Sequence, residues 1–225
     1  MLLACIACSL ALPYIPGGRW VWWPVMLLST LAHELGHGVA AVIVGGDFVS
    51  LQMFADGSGV AATAHSGGRT ARALVSAGGL VGPAIVASGL FFFARTERRA
   101  RIALGALAGV LVLATLLVVR NLFGIAFVLV VSGVLVAIMR FGSAWVARFG
   151  LLFLAVQLAL SVFSRGDYLF TSVARTGAGD MPSDVARIAD ALFLPYWMWG
   201  GLCGLFSVAV LVLGLWLYLR PTKAT

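Results

Sequence analysis

Residues 29–41 read STLAHELGHGVAA. On an α-helix, positions four apart share one face, so His33 and His37 can aim their imidazoles at a single point. That point suits Zn²⁺: imidazole nitrogens bind it at about 2.0–2.1 Å, and a catalytic site uses three protein ligands and leaves the fourth position to water. Glu34, beside the first histidine, can reach that water and take its proton while the oxygen attacks a carbonyl carbon. The HExxH spacing thus joins two ligands to a general base within one stretch of helix.

The surroundings of these residues sharpen the reading. The helix that carries them is otherwise apolar enough for a bilayer, where each ionisable group costs on the order of 2.5–3.5 kcal/mol. Two of the 3 histidines in the chain nevertheless stand there with Glu34 between them. Coordination and hydrogen bonding around a cation offset the desolvation that otherwise expels such groups.

The chain that must position them has 225 residues, 62% hydrophobic and 10% charged, with a mean hydropathy of +1.06. Those values exclude a soluble globular domain and indicate an integral membrane protein. Uncharged runs at Ala73–Ala94, Ile102–Val119, Leu122–Met139 and Tyr196–Leu219 are each long enough to cross about 30 Å of hydrocarbon. Phe149–Ser164, extended by Trp145 and Val146, and Trp20–Val44, which carries the histidines, bring the expectation to about six transmembrane helices. No run alternates in the manner of a barrel strand, so the spans satisfy their backbones as helices. Residues 1–16 are apolar but end at Pro13 and Pro16, which predicts a short membrane or interfacial segment without the basic start of a signal peptide. The expected fold is an all-α polytopic membrane protein forming a single domain over residues 1–225.

Formal net charge is +7, but the arginines are scattered between spans, which argues against a nucleic-acid groove and for a role in topology. Placing Arg95–Arg101 in the cytoplasm puts nine basic residues inside, with Arg19, Arg140, Arg148, Arg220 and Lys223, against six outside. Cys5 and Cys8 have CxxC spacing but no second pair, so they read as helix filler; the tryptophans at span ends read as an interfacial belt.

Two connecting stretches carry more than a turn. In residues 47–66, β-favouring residues flank Asp56-Gly57-Ser58-Gly59, which predicts a small β-hairpin after the histidine helix. Phe48–Ala55 or Val60–Ala64 could then offer a strand edge to an unwound peptide, or the hairpin could simply seal the site from lipid. The acidic loop over residues 165–194 holds Asp167, Asp180, Asp184 and Asp190, and Pro182-Ser183-Asp184 opens a predicted short helix, Ser183–Leu192, capped by Ser183. Four spans separate the hairpin from this loop, so both face one side of the membrane. Asn121, at a span boundary beside Arg120, can donate a hydrogen bond to substrate or to a developing oxyanion, or mark a helix end.

HELGH in a membrane helix, followed by Gly38, Ala40 and Ala41, a hairpin, and the Gly-rich span Gly78-Gly79-Leu80-Val81-Gly82-Pro83, resembles the site-2-protease family of intramembrane zinc metalloproteases. The resemblance is to its compact bacterial members and is carried by residues 20–95. It implies a protein of the bacterial cytoplasmic membrane that cleaves a peptide bond in or beside a transmembrane helix of another protein, such as a membrane-bound regulator or anti-sigma factor. His33 and His37 are then the zinc ligands and Glu34 the base. Family members take a third ligand from an Asp in a Leu-Asp-Gly or Asn-Pro-Asp-Gly setting, and neither occurs here. Glu97 lies among arginines, and Asp47 and Asp56 belong to the hairpin. That leaves the acidic loop, where Asp184 is the first choice and Asp180, Asp167, Asp190 and His65 are alternatives.

Two other classes of function compete with the zinc endopeptidase. A non-catalytic zinc-binding membrane scaffold or regulator would keep the motif without hydrolysis that depends on Glu34. A metal transporter would need ionisable residues on several spans, and the other spans carry essentially none.

Overall fold

The computed structural model describes residues 1–164 and 168–220. A short apolar helix α1 (Leu2–Ala11) leads through a tight turn to α2 (Arg19–Ile43), which carries the histidines. The hairpin β1 (Asp47–Met53) and β2 (Gly59–Ala64) follows, then α3 (Gly68–Phe93), α4 (Glu97–Leu117), α5 (Leu122–Phe141) and α6 (Ala144–Ser164). A second hairpin, β3 (Val173–Thr176) and β4 (Gly179–Pro182), precedes the short α7 (Asp184–Leu192) and the final span α8 (Tyr196–Leu219). Six of these helices, α2 to α6 and α8, are long and apolar enough to cross a membrane. The expected all-α polytopic architecture and the first hairpin are both present.

Helix ends depart from the apolar runs where polar residues finish the helix. The α4 run starts at Ile102 by hydropathy, but the helix begins at Glu97 because the Thr96 side chain accepts a hydrogen bond from the Arg99 N–H. Arginines complete the opposite ends: Arg101 donates to the Met139 and Gly142 carbonyls at the end of α5, Arg148 to Ala94 after α3, and Arg95 to Arg220 after α8. These carbonyls have no partner within their own helices, and a cation there also meets the negative end of the helix dipole. Arginines read as topology markers therefore also close three helices.

The main core joins α2 to α6, with Leu27, Leu31, Leu104, Val128, Leu151 and Leu152 almost wholly buried. Without a hydrophobic difference between lipid and side chain, helix association in a membrane depends on close packing, which small residues permit. Gly36 of α2 faces α3 across Gly78 and Gly82; a Cβ on Gly82 would lie 3.2 Å from the Gly36 Cα. The two glycine clusters in the sequence are thus the two halves of one helix contact.

β1 and β2 pair antiparallel, with Asp47 opposite Ala64 and Met53 opposite Gly59. The hairpin folds back along α2, because its tip is tied there: Thr30 Oγ1 donates to the Gly57 carbonyl at 2.7 Å and the Trp23 indole N–H to Ala55 at 3.0 Å. Strand edges at membrane depth are tolerated only where protein or a polar cavity covers them. The outer edge of β1 is covered. Leu51 N–H donates to Val118 and its carbonyl accepts from Arg120 N–H, while Asn121 brackets Met53 from both sides.

Candidate metal centre and cleft

Three elements far apart in sequence bring the site together. On α2, His33 and His37 face the same way, their rings nearly perpendicular at 89°. Asp184, the first residue of α7, meets both: its Oδ2 lies 3.0 Å from His33 Nε2 and 3.3 Å from His37 Nε2, and the two Nε2 atoms are 3.1 Å apart. Donors on one tetrahedral Zn²⁺ at 2.0–2.1 Å are separated by about 3.3–3.4 Å. The observed triangle therefore fits such an ion with adjustments of a few tenths of an ångström.

The supports around each donor explain why they can converge. His37 Nδ1 donates to the Val75 carbonyl at 2.8 Å, which leaves Nε2 with its lone pair toward the cluster. Gly79, one turn further along α3, gives that ring its space, since a Cβ there would run into the imidazole. Gly59 does the same for Glu34: a Cβ would sit 2.8 Å from Glu34 Cγ and 2.9 Å from Thr30 Cγ2. Glu34, His37 and Asp184 are all buried.

The placement of Asp184 rests on α7. Ser183 caps that helix at the Ala186 N–H and donates its own hydroxyl proton to the Thr171 carbonyl at 2.6 Å. Val185, Ile188 and Ala191 bury one face against Ala73 and Leu80 of α3 and Cys203 of α8. Arg69 at the start of α3 donates to the Asp190 carbonyl and lies over the Phe193 ring, fixing the other end. Burial alone would push the Asp184 carboxyl up, but the His37 and His33 imidazoles beside it hold it below the usual carboxylate range.

Other residues singled out from sequence lie elsewhere. Among the described residues, Asp180, Asp190 and His65 are not part of the His33–His37–Asp184 group, and Asp167 lies outside the described residues. Asn121 stands at the N-cap position of α5 and against the hairpin: its amide accepts from the Met53 N–H at 3.1 Å and donates to the Met53 carbonyl at 2.6 Å. Each end of that amide thus holds one main-chain group of β1.

Between the hairpins lies the cleft that opens onto the site. A cavity of about 50 Å³ is bounded by Glu34, His37 and Asp184 on one side and by Gly59, Ala61 and Thr63 of β2 on another. A larger cavity of about 920 Å³ continues outward between the β1–β2 tip and Val173–Thr176, with His33 and Glu34 at its floor. The hairpin tips touch where Gly177 N–H donates to Ser58 Oγ at 2.8 Å. Beyond β1, β2 has no strand partner among the described residues. The two expected docking edges are therefore not equivalent: β1 is covered, and β2 borders the cavity.

Sequence reasoning missed the second hairpin and the clamp at Asn121. Gly177 and Gly179, on either side of Ala178, were the available turn signal for the former; for the latter there was none, because the partner of Asn121 is main chain. A family model described as Peptidase M50B-like matches residues 1–214. No curated protein and no solved structure matches the chain.

Proposed function

The chain belongs to the Peptidase M50B-like family, and from that premise we propose that it is an intramembrane zinc-dependent endopeptidase that hydrolyses a peptide bond in or near a transmembrane segment of another membrane protein. The observation that carries the reading is the triangle of half-buried His33 with buried His37 and Asp184 beside Glu34, at the floor of a cleft bordered by a strand edge. His33, His37 and Asp184 hold the metal. Zinc bound there supplies a Lewis acid that brings the acidity of water near neutrality.

The remaining work falls to the protein. A transmembrane helix hides its carbonyls in its own hydrogen bonds, so it must be unwound before attack. The edge of β2 takes the unwound segment as an added strand and replaces those bonds with its own. Asn121, by holding β1, keeps that edge against α2. Glu34 then accepts a proton from a water whose oxygen bonds to the scissile carbonyl carbon. As the C–N bond breaks, Glu34 returns the proton to the departing nitrogen, leaving a carboxylic acid and an amine, and the acid proton then passes to the amine to give carboxylate and ammonium. A membrane-bound regulator or anti-sigma factor of the bacterial cytoplasmic membrane is the kind of substrate this reading expects.

Glu34→Gln tests it. The variant should keep its zinc, measured by metal analysis of the purified protein, and lose at least about 100-fold in cleavage of a test membrane protein co-reconstituted in liposomes. Undiminished turnover would rule the mechanism out, and zinc without hydrolysis in the unaltered protein would instead favour a non-catalytic zinc-binding scaffold.

A further inference from the structure

The cavity at the metal centre has one more charged side chain in its wall, and the mechanism above leaves it without a task. Arg187 lines the same 50 Å³ space as Glu34, His37 and Asp184, and among the described residues it is the only arginine or lysine that does. It stands three residues after Asp184 on α7, so the two side chains leave the helix on one face. Among the described residues no carboxylate lies within ion-pairing distance of it. Its guanidinium donates to the Met181 sulfur at 3.6 Å, a weak acceptor for one of five N–H donors.

A half-buried guanidinium is expensive to leave so poorly matched, and its setting supplies a use. Residues of β2 and α7 line opposite parts of the cavity beside Glu34, so a substrate strand added to β2, as the endopeptidase reading has it, would present its scissile carbonyl between Glu34 and α7. As the water oxygen bonds to the carbonyl carbon, the C=O electron pair moves onto the carbonyl oxygen and one proton passes to Glu34. The negative charge appears on an oxygen inside a cavity whose other charged walls, Glu34 and Asp184, are acidic. A planar donor fork held by a rigid helix stabilises that charge without reorganising at the moment of reaction. We propose that Arg187 is a catalytic residue that donates hydrogen bonds to the substrate carbonyl oxygen as it gains charge; this rests on the endopeptidase reading.

α7 is anchored independently of Arg187, through the Ser183 cap and the apolar face of Val185 and Ile188, so substitution should leave the fold and the zinc in place. Two labelled peptide ligands separate the roles. A phosphinic tetrapeptide reproduces the tetrahedral, anionic carbon with its second oxygen, whereas a mercaptoacyl peptide reaches zinc through sulfur alone. Binding of each to the zinc-loaded protein is read by fluorescence anisotropy. Arg187→Met should weaken the phosphinic ligand about 100-fold and the thiol ligand less than about 3-fold, with zinc content unchanged. Arg187→Lys, which keeps the charge and loses the fork, should fall between.

Equal weakening of both ligands, or loss of zinc, would make Arg187 a structural residue and overturn the assignment. So would an unchanged phosphinic affinity in Arg187→Met, above all if Ser76→Ala or Thr63→Val lost it instead. Wild-type protein that holds zinc but binds neither ligand and cleaves nothing would refute the endopeptidase reading itself, and the role of Arg187 with it.

Discussion

Gly79→Ala isolates the support of one proposed ligand without touching any donor. The added Cβ would overlap the His37 imidazole and lie 2.8 Å from Cδ2, the least crowded of its three nearest atoms, where ordinary contact begins at 3.4 Å. The ring must therefore retreat by at least about 0.6 Å, while metal–donor distances tolerate only about ±0.2 Å. It cannot swing freely, because Nδ1 is held by Val75 at 2.8 Å, and breaking that bond costs about 0.5–1.5 kcal/mol. The expected result is a 10–100-fold loss of zinc affinity, about 1.4–2.7 kcal/mol, measured by competition with a chromophoric chelator. Gly89→Ala on the same helix is the control, since its Cβ would meet nothing within 4 Å; it should bind zinc as the parent does. If Gly79→Ala matched that control, His37 would not be seated as described and the metal centre would need another geometry.

Other outcomes follow from the same contacts. Asp184→Asn should abolish stoichiometric zinc in metal analysis, whereas Asp180→Asn and Asp190→Asn should retain it. Asn121→Ala should leave zinc bound and speed amide hydrogen exchange at Leu51–Met53, with about 1–3 kcal/mol lost from the hairpin because the Met53 main chain loses its partners; unchanged exchange would show that the clamp is dispensable. Arg101→Met removes the donors that close α5 and should lower the thermal midpoint in detergent while leaving zinc affinity unaltered. Gly59→Val places a side chain against Glu34 and Thr30 and should depress turnover more than zinc binding, checked by comparing the two directly.

What could be read along the chain was local or compositional. Crossing a bilayer demands long apolar helices, so hydropathy alone located the six spans, and the helical repeat alone put His33 and His37 on one face with Glu34 beside them. The Asp-Gly turn announced the first hairpin, and Pro182-Ser183-Asp184 announced the start of α7. Strands as short as Val173–Thr176 and Gly179–Pro182 carry too few alternations to stand out from a polar loop, which is why the second hairpin did not register.

The rest belonged to the tertiary structure. Asp184 meets the histidines because α7 packs between α3 and α8, and no periodicity links residues that distant. Sequence made Asp184 the first choice for that position, from its place at the start of a short helix, but left four further candidates open. Which edge of the hairpin is covered, the space that Gly79 leaves for His37, and the helix ends closed by Arg95, Arg101 and Arg148 were decided in the same way. A helix specifies its own faces through bonds between near neighbours, but which faces meet depends on packing and on main-chain groups that every residue shares, and those leave no mark on the order of side chains.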